Sequence, residues 1–147
     1  MPRLVLACLL LLAAALPAAA QRGDIIADFE SGEVTLDSYP GQDADPGDWE
    51  LITSGTHEGS DYSLRLYGNT WKTQAIAPRS VTAGTVWQVA VHVEGEGEMQ
   101  AFGVSDGVSE LLYTLAGDEL PQGSQWWTVY QGAFPREEWR VYLLPIG

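Results

Sequence analysis

The chain has 147 residues, twenty of them Asp or Glu against seven Lys or Arg, for a formal net charge of −13. That length suits one domain with its own core, and the charge repels nucleic acid and anionic membranes, leaving calcium and neutral polymers as partner classes. The single cysteine, Cys8, excludes an intrachain disulfide, and a zinc site would have to be built from carboxylates and two histidines.

Residues 1–20 read as a secretory signal peptide. Arg3 supplies a positive charge, "LVLACLLLLAAAL" is an apolar run of signal length, and Pro17 leads into the small residues Ala18-Ala19-Ala20 that suit cleavage. The run falls short of the roughly 20 apolar residues a membrane-spanning helix needs. Cleavage there removes Cys8 and leaves a cysteine-free domain over residues 21–147, secreted or held at the cell surface.

Beyond the signal, apolar residues recur at period two and hardly anywhere at the helical period. Ten strands are expected in chain order: "DIIADFE" (24–30), "EVTLDSY" (33–39), "DWELITS" (48–54), "YSLRLYG" (62–68), "TWKTQAI" (70–76), "TVWQVAVHVEG" (85–95), "EMQAFGVSD" (98–106), "SELLYTLAG" (109–117), "QWWTVYQG" (125–132) and "EWRVYLLPI" (138–146). Turn residues such as Gly32, Pro40-Gly41, Pro46-Gly47, Gly68-Asn69 and Gly107 part them. In the clearest strand, Trp87, Val89, Val91 and Val93 share a core face, while Gln88, Ala90 and His92 point away. In the hairpin that turns at Gly68-Asn69, Leu64 and Leu66 are expected in the core, with Arg65 and Tyr67 outside. Trp126 and Trp127 are adjacent and so face opposite ways. Short strands at this spacing predict an all-β fold, an antiparallel β-sandwich. The closing "VYLLPIG" is an uncharged apolar edge of a kind that proteins cover, so the sandwich is expected to be truncated there, with a longer protein continuing past it.

The opening "DFESG", the Trp strand "DWELITSG", then "HEGSDYSLRLYGNTWK", "TVWQVAVHVEGEGEMQAFGVSDG" and "WWTVYQGAF" together resemble the jelly-roll carbohydrate-binding modules of the galactose-binding-like group. The likeness spans nearly all of residues 24–144, through loose motifs. It implies a β-jelly roll, a glycan or polysaccharide as ligand, and a role in a larger exported bacterial protein either as a binding module or as a spacer. It also implies a structural calcium ion held near the first strand, where the matching acidic positions are Asp28 and Glu30.

Sugar recognition requires aromatic faces for pyranose rings and polar side chains for hydroxyls. The outward or undecided positions of the strands give the candidates: Arg65, Tyr67, Lys72, Gln74, Gln88, His92 and Trp126. A spacer would bury all of its aromatics, whereas a binder would keep one beside polar groups in a groove. Independently of any family, Asp43, Asp45 and Asp48 stand as D-x-D-x-x-D in a flexible loop, a spacing of hard oxygen ligands that suits calcium. Catalysis lacks a constellation. Glu94, Glu96 and Glu98 alternate with glycines as a charged hairpin tip, and His57, Ser60 and Asp61 come without a nucleophile elbow or oxyanion motif. No phosphate-binding glycine loop occurs, and Lys72 is the only lysine.

Overall fold

The computed structural model describes residues 23–95, 97–119 and 137–147, and the backbone of 126–128. Its described residues are all-β, with nine strands and no helix. The strands are β1 (Asp37–Ser38), β2 (Trp49–Ile52), β3 (Ser63–Leu66), β4 (Lys72–Thr73), β5 (Val86–His92), β6 (Gln100–Ser105), β7 (Glu110–Ala116), β8 (Trp126–Thr128) and β9 (Trp139–Pro145). Among the described residues they form four small sheets, β1–β4, β2–β3, β5–β9 and β6–β7–β8. Every pairing is antiparallel except β7–β8, which runs parallel and sets Leu112 opposite Trp126.

The first expected strand, 24–30, does not form. Asp28 Oδ1 accepts from the Glu30 amide at 3.2 Å, the Gly32 amide donates to the Phe29 carbonyl at 2.9 Å, and Phe29 itself has φ 62°. A bulky residue in left-handed backbone cannot continue a strand, so the local Asx turn wins over the apolar pair Ile25-Ile26, which stays exposed.

The core lies between β5–β9 and β6–β7. Val93, Leu115 and Ala116 are buried together, and Val91, Phe102 and Tyr142 pack against them. As the alternation predicts, Trp87 faces the same way and meets Phe102 edge-on at 5.1 Å between ring centroids. The paired register extends this face across β9 to Leu144, which is fully buried. Tyr113 is buried too and donates its hydroxyl to the Pro145 carbonyl, tying β7 to the end of β9. The reverse face of β5–β9 carries Gln88 and His92, as expected, beside the exposed side chains of Val86, Val141 and Leu143.

Candidate functional site

The candidate site grows from β2 and β3. A turn at Asp45 to Asp48, closed by the Asp48 amide donating to the Asp45 carbonyl at 3.0 Å, delivers Trp49 as the first residue of β2. Period two then gives Trp49 and Leu51 one face and Glu50 and Ile52 the other. The register sets Leu66 opposite Trp49 and Leu64 opposite Leu51, so these four share a face.

That apolar face is not sealed. Leu66 is 46% exposed, which corrects its expected place in the core. In front of Trp49 and Leu51 lies a wide-open groove of about 720 Å³, lined also by Ser31, Glu33, Thr35 and Gln74. The groove stays open because the 31–35 wall turns on its own hydrogen bonds instead of pairing with β2. Ser31 Oγ donates to the Glu33 carbonyl at 3.1 Å and accepts from the Glu33 amide at 3.2 Å. Gly32, at φ 69°, carries that turn over the Tyr62 ring. Of the residues singled out in the sequence, Gln74 alone lines this groove. Trp49, Ser31, Glu33 and Thr35 were missed. The signal that could have found Trp49 is its place two before Leu51 on a strand whose partner face, Leu64 and Leu66, is equally apolar.

Arg65 and Tyr67 do point away from that face, and the Arg65 guanidinium is engaged by carboxylates while Tyr67 stays exposed. The Arg65 guanidinium meets Glu50 at 3.0 Å and Glu94 at 2.6 Å and lies 5.8 Å from the Tyr67 ring centroid. The hydrogen bond to Glu50 and the charge of Glu94 raise its pKa still further above the ordinary arginine value. Glu94 is thereby a structural tie from the end of β5 to β3, and Glu96 lies outside the described residues.

The acidic loop closes on the 68–72 segment. Asp43 Oδ1 accepts from Thr70 Oγ1 at 2.8 Å and from the Trp71 amide at 3.0 Å, while Oδ2 accepts from Lys72 Nζ at 2.5 Å. Lys72 Nζ also donates to the Pro46 carbonyl at 2.7 Å. Both side chains are buried, 1% exposed for Asp43 and 5% for Lys72. Burial works to raise the Asp43 pKa, but hydrogen bonds from Lys72, Ser38, Thr70 and the Trp71 amide outweigh it and hold the carboxyl well below the usual carboxylate range. Asp45 Oδ2 accepts from the Asn69 amide at 2.9 Å, and the Tyr67 amide donates to the Asp48 carbonyl at 3.0 Å.

Within this clamp Lys72 faces inward to Asp43, and both Asp43 carboxylate oxygens are engaged by Thr70, the Trp71 amide and Lys72. Asp28 and Glu30 are likewise engaged locally, Glu30 Oε2 accepting from the Asp61 amide at 3.0 Å. Among the described residues no group of three or more His, Cys, Asp or Glu side chains converges as a metal site.

The clamp makes Gly68 sensitive. Its φ is 65°, and a Cβ there would come within 2.2 Å of Asp48 Oδ2. Gly68→Ala is therefore expected to lower the melting temperature by roughly 5 °C or more, combining a left-handed alanine with a displaced carboxylate. Thermal unfolding followed by circular dichroism checks this.

His92 packs against Trp139, its cross-strand partner, at 5.5 Å, and His57 meets the same indole edge-on at 5.3 Å. Trp139 Nε1 donates to the Gly55 carbonyl at 2.9 Å, pinning the 53–60 loop to the start of β9. His92 thus serves a loop contact and does not line the groove. Ser60 contributes its amide to the His57 carbonyl at 2.8 Å, and no hydrogen bond joins the Ser60 hydroxyl to an imidazole. Gln88 is exposed on the outer face of β5. The Trp126 side chain lies outside the described residues.

Comparison with protein families, with curated proteins and with solved structures finds no match to this chain.

Proposed function

We propose that this chain is an exported, noncatalytic glycan-binding domain of the galactose-binding-like jelly-roll type, and that it takes its ligand in the groove in front of Trp49. The observation that supports this reading is the Trp49 groove itself. Half-buried Trp49 lines it together with Gln74 and Thr35, whose side chains make no hydrogen bond with other described residues. Such a wall offers an aromatic surface to the C–H face of a sugar and free donors and acceptors to its hydroxyls.

Arg65 and Lys72 are ion-paired internally, and among the described residues lining the groove Glu33 is the one carboxylate.

Retention of the purified protein on immobilised polysaccharides, released by soluble oligosaccharide, tests this reading. A ligand-bound fraction displaced by competing sugar is the expected result. No retention on any polymer of a broad glycan panel would overturn it and favour a spacer of a larger surface protein.

A further inference from the structure

Glu33 is the charged residue of the groove lining, and its situation differs from that of the neighbouring acids. Glu50 and Glu94 hold Arg65, Asp43 holds Lys72, and Asp45 holds the Asn69 amide. The Glu33 carboxylate has no partner among the described residues, although its backbone is fixed in both directions by Ser31. Glu33, exposed, and Trp49 line the same groove. A carboxylate and an aromatic ring are the two groups best suited to a cation.

Resting on the glycan-binding reading, we propose that the groove selects amino sugars, taking glucosamine-type units over neutral units and rejecting uronic acids, with Glu33 receiving the protonated amine. The chain's net charge of −13 acts in the same direction at longer range. It draws cationic oligomers and repels anionic ones, an effect that fades as salt shortens the Debye length. The two contributions separate by salt and by mutation, because only the local one depends on Glu33.

Calorimetric titration of the purified protein at mildly acidic pH, with hexamers of glucosamine, of N-acetylglucosamine and of galacturonic acid, tests the proposal. The glucosamine hexamer is expected to bind about threefold to fivefold more tightly than its N-acetylated counterpart at moderate salt, the size of one exposed ion pair. Galacturonate is expected to bind most weakly. Glu33→Gln should bring the first two affinities together by weakening the glucosamine hexamer more than its N-acetylated counterpart.

Equal affinity for the two hexamers in the wild type, or a preference untouched by Glu33→Gln, overturns the proposal. Binding of the N-acetylated hexamer that is lost in Trp49→Ala would in that case leave the groove reading standing. Absence of binding by every hexamer would overturn the amino-sugar proposal, and retention on another polymer of the broad panel would then leave the groove reading standing. Glu33 is exposed, so an unchanged melting temperature is expected to show that the variant is folded.

Discussion

Replacing Lys72 by Met is expected to cost this protein more stability than any surface substitution, lowering the melting temperature by roughly 10–20 °C. The ammonium sits 2.5 Å from Asp43 with 5% of its side chain exposed. Its removal leaves a buried carboxylate facing a thioether, still held by Thr70 and the Trp71 amide but without counter-charge. Removing both charges should cost less than removing one, so the double variant Asp43→Asn, Lys72→Met is expected to melt well above Lys72→Met alone. The clamp also has an acid limit. Because the folded-state pKa of Asp43 is depressed, its stabilisation is complete above the unfolded Asp value of about 3.9 and is lost as pH falls below it. The stability gap between wild type and Asp43→Asn should hence stay constant above about pH 5 and narrow below about pH 4. A gap that is flat down to pH 2, measured by urea unfolding, would contradict the clamp.

Much of the strand content was legible because period two is a strong signal where one face meets a core. Residues 85–95 show it best: Trp87, Val91 and Val93 face inward and Gln88 outward, as their alternation requires. The 24–30 segment shows the opposite case. Its apolar letters look like a strand, yet the Asp28 carboxylate takes the Glu30 amide and Phe29 adopts left-handed backbone. A side chain competing for a nearby backbone donor leaves no trace in hydropathy. Long-range partners were equally hidden. Whether Lys72 meets a ligand or Asp43 depends on how the 40–48 loop folds back across nearly thirty residues, which no local pattern records. Trp49 was quoted as part of a strand, but the groove beside it depends on the 31–35 wall standing off β2, a tertiary matter. Gln74 shares its strand face with Lys72, so alternation left it undecided, and its exposure beside a buried Lys72 is again a tertiary matter.

Trp49→Ala is expected to lower glycan affinity by roughly tenfold to twentyfold. Covering one face of the indole with a sugar hides about a third of the ~200 Å² that an aromatic side chain can bury. At about 25 cal/mol per Å² this is about 1.7 kcal/mol, and each 1.4 kcal/mol is tenfold in affinity. The loss belongs to binding only if the sheet survives. Trp49 pairs with Leu66 and delimits β2, so part of the effect could come from loosening of the strand pair. Trp49→Phe separates the two causes, because a phenyl ring keeps the pairing and a smaller stacking face while losing the indole N–H. An intermediate affinity with a melting temperature near wild type is expected for Phe, and a large loss of affinity with a modest fall in melting temperature for Ala. If Ala and Phe both bound as tightly as wild type, the indole would be a wall of the groove and not its platform. The same titrations run on Gln74→Ala place the polar side. One hydrogen bond to a sugar hydroxyl, contributing about 0.5–1.5 kcal/mol net, predicts a loss of roughly twofold to tenfold. The aromatic and amide effects should add if both groups touch the ligand independently.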